Sequence, residues 1–128
     1  MEINKIHNGD ILEMFGQTPD NFIDLIVTSP PYNVGIAYDS WDDRLSPDAF
    51  YNWCEQWLAE CYRTLKPDGR IVVNVPYETN FTTRGGRQFF MAEMWQIMKK
   101  VGFNFFGMVD LVEPATHRTK KTAWGSWM

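Results

Sequence analysis

The 128-residue sequence has no long apolar run and only two cysteines. A membrane-spanning helix needs about 18 or more consecutive apolar residues, and no stretch approaches that length. The N-terminal MEINKIHNGD also lacks the apolar core of an export signal. Cys54 and Cys61 give no sign of a disulfide framework. These features argue against a membrane span and favour a reducing cytoplasm.

Charge is unevenly distributed along the chain. Residues 1–81 hold 5 Lys+Arg against 13 Asp+Glu, a net charge of −8. Residues 82–128 hold 7 against 3, a net charge of +4. The acidic total of −4 therefore conceals a basic C-terminal third. That third is the part of the chain suited to meeting a polyanion.

Strand and helix patterns alternate along the sequence. Strands are predicted at 2–7, 22–28, 70–75 and 103–112. These segments are dense in β-branched or aromatic residues or have apolar residues at alternate positions. Apolar residues spaced three and four apart, together with capping signals, predict helices at 11–15, 47–65 and 88–101. A turn is expected at 66–69. The sequence therefore predicts one α/β domain over residues 1–128 with a mainly parallel sheet.

The strongest functional signal is the run TSPPYN at residues 28–33, directly after a predicted buried strand. In open α/β sheets, ligands bind at the carboxyl ends of the strands. Two prolines fix φ and remove two amide donors, so the loop is rigid, and rigid loops hold reacting groups in place. A strand-ending turn whose tyrosine packs on the core is the alternative interpretation.

Residues 24–33, DLIVTSPPYN, resemble the catalytic motif of the amino-methylating DNA methyltransferases, in their circularly permuted subgroup. Three more segments are similar to that family in order and spacing: HNGD at 7–10, LKPDGR at 65–70 and AWGSW at 123–127. The resemblance implies part of a Rossmann-like, S-adenosylmethionine-dependent methyltransferase fold. It also implies methyl transfer to an exocyclic amine of a base in double-stranded DNA.

The resemblance assigns a role to each residue of the motif. Those implied to be catalytic are Ser29, Pro30, Pro31 and Tyr32. The Ser29 hydroxyl and the Pro30 carbonyl would accept the protons of the amine, and Tyr32 would stack on a base that has left the duplex. Those implied to bind the cofactor are Asp10, Ile11, Thr28 and Ser29. A helix cap is the alternative role of Asp10, and no metal site is indicated.

Serine at position 29 favours cytosine N4 as the target. Family members with Ser before Pro-Pro-Tyr are mostly cytosine enzymes, and those with Asp are mostly adenine enzymes. Three alternatives stay open: adenine N6, a non-catalytic nucleic-acid-binding remnant, and action on RNA or on a protein glutamine. The glutamine-modifying group prefers Asn where this chain has Ser29.

Five basic residues are candidates for contact with DNA: Arg84, Arg87, Arg118, Lys120 and Lys121. Such contacts would make binding weaken with salt, and solvated loops are the alternative. The basic and aromatic segment 113–128 would lead toward the DNA-recognition region. The aspartates at 39, 42 and 43 are expected in a solvated loop that orders on cofactor or DNA, and Cys54 and Cys61 in the core.

The sequence lacks the glycine-rich cofactor loop of the family, an aromatic residue followed by Gly-x-Gly. None of its nine glycines makes that pattern. The resemblance therefore implies the catalytic part of a larger fold, with the cofactor-loop half of the sheet missing. A second polypeptide or a second copy would supply that loop, and the strand at 22–28 would keep an unpaired apolar edge.

Overall fold

The computed structural model describes residues 1–81 and 85–112. Its elements in chain order are α1 (Ile11–Gly16), β1 (Ile23–Thr28), α2 (Pro47–Thr64), β2 (Leu65–Val73), β3 (Thr79–Asn80), β4 (Arg87–Gln88) and α3 (Phe90–Val101). β1 and β2 pair in parallel, and β3 and β4 pair antiparallel. The described part is thus an α/β structure with parallel pairing at its centre.

Helix α2 supplies half of the buried hydrophobic core. Ser46 caps it by accepting the backbone N–H of Ala49 at 3.3 Å, and Pro47 opens its first turn. Its buried face follows the predicted three- and four-residue spacing and consists of Phe50, Cys54, Trp57, Leu58, Cys61 and Thr64. Helix α3 packs against α2 and contributes Phe90 and Met94 to the same core.

The parallel strand pair is buried on one face and open on the other. In its register Ile26 pairs with Ile71, and Ile26 is buried in the core. Leu25, Val27 and Val72 point to the opposite face and are 57%, 70% and 53% exposed. Among the described residues, β1 pairs with β2 alone. Within the described ranges, β1 therefore has one unpaired edge, as predicted, and an exposed apolar face beside it.

The expected strands at 2–7 and 103–112 are wrong, because neither segment forms a strand. A strand exists only where a neighbour takes its N–H and C=O groups, and no described residue pairs with either segment. Most of their apolar side chains are accordingly solvent-accessible, with Ile6 fully exposed and Phe106 78% exposed, and Phe103 alone packs against the core.

The expected turn at 66–69 is also wrong, since these residues belong to β2. Ile23 pairs with Leu65, but two residues later Leu25 already pairs with Arg70. The additional residues of β2 are absorbed in this shift of register, as in a β-bulge. The turn residues Pro67 and Gly69 therefore interrupt the ladder without ending the strand.

Replacing Phe50 tests whether the aromatic core carries the stability of the chain. Phe50 is 0% exposed, and its ring centroid lies 5.4 Å from Phe81 and 5.7 Å from Phe90. Phe50→Ala should lower the free energy of unfolding by about 3–5 kcal/mol, because it leaves a cavity. The control Asn52→Ala, on the exposed face of α2, should change it by no more than about 0.5 kcal/mol. Urea unfolding followed by circular dichroism measures both, and equal midpoints would contradict this core.

Cys54 and Cys61 lie in the core as predicted, and burial raises the pKa of each thiol to about 12. Iodoacetamide at pH 8 should therefore leave both unmodified in the folded chain and alkylate both in denaturant. An unfolded thiol ionises near pH 8.5 (about its ordinary value), whereas the folded state keeps its proton. Stability should consequently fall as the pH rises above about 8.5. Rapid alkylation of the native chain would show that the thiols are accessible.

Candidate active site

The proline-rich loop begins where the parallel strand pair ends. Thr28 is the last residue of β1 and pairs with Val73 of β2. The next residue, Asn74, donates its backbone N–H to the Thr28 carbonyl at 2.9 Å. This bond prolongs the ladder and brings Asn74 beside Ser29. The loop thus lies at the carboxyl edge of the strand pair, where α/β folds bind ligands.

Hydrogen bonds join the side chains of Ser29 and Tyr32 to each other and to Asn74 at this edge. Ser29 Oγ lies 2.7 Å from Tyr32 Oη, and Tyr32 Oη donates to the Asn74 carbonyl at 2.9 Å. Asn74 Nδ2 donates to Ser29 Oγ at 3.5 Å. The Tyr32 ring packs edge-on against Phe90, with centroids 5.7 Å apart and planes at 75°. Tyr32 is therefore held both by its hydroxyl and by its ring.

Exposure differs along the loop in a way that suits chemistry at Ser29. Ser29 is exposed, whereas Pro30 is buried and Pro31 and Tyr32 are half-buried. Because proline has no N–H, burying Pro30 leaves no backbone donor unpaired. The four residues predicted to be catalytic thus form one anchored loop with an accessible hydroxyl at its start. Tyr32 also packs against the core, as the alternative interpretation required.

A buried carboxylate holds the backbone that follows Tyr32. Asp43 is 2% exposed. Its Oδ1 accepts the backbone N–H of Asn33 at 3.1 Å. Its Oδ2 accepts the N–H groups of Val34, Gly35 and Ile36 at 3.1, 3.1 and 3.0 Å. Four donors compensate the carboxylate for the water it has lost.

Asn33 closes the same loop from the other side. Its backbone is left-handed, with φ of 60°, a conformation that asparagine adopts more readily than most residues. Its side chain is fully buried, donates to the Leu45 carbonyl at 2.8 Å and accepts the Leu45 N–H at 2.8 Å. This two-bond clamp ties the end of the proline-rich loop to the residue just before the cap of α2.

The roles of Asn33 and Asp43 were not predicted from the sequence. Asp43 was expected with Asp39 and Asp42 in a solvated loop, and of these three only Asp39 and Asp42 are exposed. Nothing local separates the three aspartates. The one signal was Asn33, because a left-handed residue in a turn aligns successive backbone N–H groups that need an acceptor.

Asp10 fills the capping role that was its alternative. Its Oδ1 accepts the backbone N–H groups of Leu12 at 2.9 Å and Glu13 at 3.4 Å. Asp10 is exposed, and Ile11 packs half-buried against the core. Helix α1 is fastened to α2 by Arg63, whose guanidinium donates to the Phe15 carbonyl at 2.7 Å. Contact of Asp10 and Ile11 with a cofactor stays a prediction.

Arg87 is the one candidate DNA-binding residue within the described part of the chain. It is exposed on β4, and its Nη1 lies 3.4 Å from Glu78 Oε1. The other four candidates, Arg84, Arg118, Lys120 and Lys121, lie outside the described residues, as does the segment 113–128. Contact of these residues with DNA stays a prediction.

Residues 1–81 and 85–112 contain no cluster of three or more His, Cys, Asp and Glu side chains suited to holding a metal ion. In the same two ranges, no helix has the length and apolar character to cross a membrane.

A Ser-Pro-Pro-Tyr loop anchored at the carboxyl edge of parallel strands is the arrangement expected of an amino-methylating transferase. A family model described as DNA methylase, covering the N6 and N4 enzymes, matches residues 23–124. The chain belongs to this DNA methylase family.

Two relatives show how much of a family member the chain represents. It is 38% identical over 121 residues to the type II methyltransferase M.MjaVI of Methanocaldococcus jannaschii, covering 94% of this chain and 59% of that protein. It is 39% identical over 77 residues to the type II methyltransferase M.BamHI of Bacillus amyloliquefaciens, covering 59% of this chain and 18% of that protein. The chain thus spans less than two thirds of the length of each.

The fold is similar to that of TTHA0409, a candidate DNA modification methylase from Thermus thermophilus. The TM-score is 0.58 at 27% identity, over 75% of this chain and 39% of that one. The complex of TTHA0409 with S-adenosyl-L-methionine gives a TM-score of 0.55 at 28% identity, over 75% of this chain and 38% of that one. This likeness confirms the predicted fold class, an α/β methyltransferase fold of which the chain forms part.

Asp43→Asn tests the carboxylate that holds the loop. Asparagine keeps the shape but turns one acceptor oxygen into an NH₂ group, so at least one buried backbone N–H loses its acceptor. That loss should cost about 1–3 kcal/mol in the free energy of unfolding and make residues 33–45 easier to cleave with protease. The matched control is Asp42→Asn, whose exposed carboxylate accepts one N–H, from Arg44 at 3.1 Å. Similar unfolding and cleavage in both variants would contradict this role of Asp43.

Proposed function

We propose that this chain is the catalytic part of a DNA methyltransferase that transfers a methyl group from S-adenosylmethionine to the N4 amine of a flipped cytosine in double-stranded DNA. The observation that carries the proposal is the accessible Ser29 hydroxyl, fixed by Tyr32 and Asn74 at the carboxyl edge of the strand pair. Membership of the DNA methylase family supports the reaction. The complex of TTHA0409 with S-adenosyl-L-methionine supports the cofactor.

The chemistry required of the chain is activation of a weak nucleophile. An exocyclic base amine delocalises its lone pair into the ring, and acceptors that hold its protons draw the nitrogen toward a tetrahedral, nucleophilic form. Ser29 Oγ and the Pro30 carbonyl are two such acceptors on neighbouring residues. The cofactor would supply an electrophilic methyl group and leave as the neutral thioether S-adenosylhomocysteine, and the proton that the amine loses would pass to water. No covalent bond between enzyme and base is needed.

The target amine is out of reach inside the duplex, so the base has to leave the stack. Tyr32 offers the aromatic surface on which the flipped base would rest, a contact typically worth about 1–3 kcal/mol per base. Its ring is already oriented, since Phe90 packs against it and Asn74 holds its hydroxyl. A preoriented ring places the amine against Ser29 with little further loss of freedom.

The residue at position 29 supports cytosine as the target. A Ser-Pro-Pro-Tyr run is found mostly in the cytosine-N4 members of the family, and the matching family model spans both N4 and N6 enzymes. Adenine N6 is therefore the alternative product, and the identity of the methylated nucleoside distinguishes the two.

Cofactor contacts within this chain are proposed at the end of β1 and the start of α1. Asp10 presents an exposed carboxylate and Ile11 an apolar surface beside it, a pair suited to the edge and face of an adenine ring. Thr28 and Ser29 stand at the carboxyl edge where such a ligand would bind. This donor set fits one side of the cofactor only, because the sequence has no aromatic-Gly-x-Gly loop.

A second polypeptide is proposed to supply the missing loop, because a second copy of this chain would lack that loop as well. Parallel strands are almost always covered on both faces, yet Leu25 and Val27 of β1 are 57% and 70% exposed. An open apolar strand edge favours pairing with another chain. The occupant of that edge would bring the glycine loop next to Thr28.

DNA contact is proposed for the basic C-terminal third. Its net charge of +4 contrasts with −8 for residues 1–81. Within it, the predicted contacts are Arg84, Arg87, Arg118, Lys120 and Lys121. Their phosphate contacts would make affinity fall as salt rises.

Transfer of a labelled methyl group tests the proposal. The chain is incubated with duplex DNA and labelled S-adenosylmethionine, alone and with the part of M.MjaVI that it does not match. Label should enter DNA only when both polypeptides are present, and digestion to nucleosides should give N4-methylcytosine. Ser29→Ala should slow the transfer by about a hundred- to a thousandfold, whereas Asn52→Ala, on the exposed face of α2, should leave it unchanged.

Each other outcome corrects a different part of the proposal. N6-methyladenine as the sole product would replace cytosine by adenine. Transfer by the chain alone would remove the need for a second polypeptide. Absence of label in every mixture, with DNA still bound, would favour a nucleic-acid-binding remnant.

A further inference from the structure

The hydrogen bonds around Ser29 have a fixed direction. The Asn74 backbone carbonyl carries no proton, so Tyr32 donates the bond that joins them at 2.9 Å. A tyrosine hydroxyl has one proton only. The 2.7 Å contact between Tyr32 Oη and Ser29 Oγ therefore takes its proton from Ser29. Tyr32 is an acceptor toward Ser29 and a donor toward the backbone.

The side chain of Asn74 agrees with that direction. Its Nδ2 donates to Ser29 Oγ at 3.5 Å. A serine hydroxyl has one proton and two acceptor lone pairs. With the proton directed at Tyr32 and one lone pair facing Asn74, the remaining acceptor capacity of Ser29 is left for a donor from outside. Ser29 is exposed, so such a donor can approach.

We propose that the hydroxyl of Tyr32 is a positioning group, which turns Ser29 Oγ into a fixed proton acceptor for the exocyclic amine. The inference rests on the proposed function and adds to it a role for the tyrosine hydroxyl, separate from stacking by the ring. Without that hydroxyl, the O–H bond of Ser29 is free to rotate. In some of its orientations it points its proton, and not a lone pair, at the amine. An O–H facing an N–H repels the substrate instead of drawing on its proton.

The device is specific to a hydroxyl at position 29. A carboxylate there would have acceptors only and would need no neighbour to orient it. A carboxylate would also compete with the Asn74 carbonyl for the Tyr32 proton. The arrangement of Ser29, Tyr32 and Asn74 thus orients the acceptor before the substrate arrives. The hydroxyl groups therefore need no reorientation during the reaction.

Neutron diffraction from deuterium-exchanged crystals of the chain reads the proton positions directly. One deuteron should lie on Ser29 Oγ and point to Tyr32 Oη, and another on Tyr32 Oη and point to the Asn74 carbonyl. In Tyr32→Phe, the Ser29 deuteron should turn away or spread over several positions. A Tyr32 deuteron aimed at Ser29, or an unchanged Ser29 deuteron in Tyr32→Phe, would overturn the proposal. This result does not depend on whether the chain transfers methyl groups.

A double-mutant cycle measures the consequence for transfer, with the second polypeptide present. Tyr32→Phe keeps the ring and should slow single-turnover methyl transfer by about tenfold, the effect of one hydrogen bond. In a Ser29→Ala background the same change should have no effect, because no hydroxyl is left to orient. Tyr62→Phe, an exposed tyrosine on α2, should leave the rate unchanged.

The cycle separates positioning from a purely structural role of the hydroxyl. If the hydroxyl only held the ring in place, Tyr32→Phe would slow transfer equally with Ser29 present and in the Ser29→Ala background, and that result would overturn the inference. Equal rates for Tyr32→Phe and the unaltered chain would overturn it as well. Absence of transfer in all mixtures would instead refute the proposed function, and the deuteron positions would still decide the orientation of Ser29.

Discussion

The parallel pairing of β1 with β2 is the interaction on which the rest of the structure depends. Ser29 and Asn74 are 45 residues apart, and they meet only because the two strands run in the same direction and end together. Parallel strands cannot be joined by a tight turn, so a crossover is required. Helix α2 provides it, and its buried face covers the side of the pair on which Ile26 lies. The amphipathic pattern of α2 thus sets the position of the edge that carries Ser29 and Tyr32.

In the loop beyond that edge, several backbone N–H groups need acceptors, and buried polar side chains supply them. Asn33 adopts a left-handed backbone, and the next three residues present their N–H groups to one side. Left unpaired in the interior, such donors would each cost free energy. Asp43 accepts four backbone N–H groups in this loop and gains enough hydrogen bonds to remain buried. The rigid proline segment is therefore bounded on one side by the strand ladder and on the other by a buried carboxylate.

Sequence periodicity predicted those elements whose structure is determined locally. The helices at 47–65 and 88–101 and the strand at 22–28 formed close to the expected positions, because spacing and caps define them. The segments 2–7 and 103–112 carry strand-like patterns but no partner strand, and pairing is a property of two segments. Likewise, Ser29 and Tyr32 could be named from their motif. Asn74 and Asp43 could not, since their contacts arise only after the chain has folded.

Within the described part of the chain, the contacts that fix the proline-rich loop come from three segments. Asn74 follows β2, Phe90 begins α3, and Asp43 precedes the cap of α2. The groups that would receive the base are therefore ordered by the described residues themselves. The glycine loop that would hold the methyl donor has no counterpart in the sequence. In the proposed reaction, the chain thus supplies the groups that prepare the amine, and the glycine loop would come from a second polypeptide.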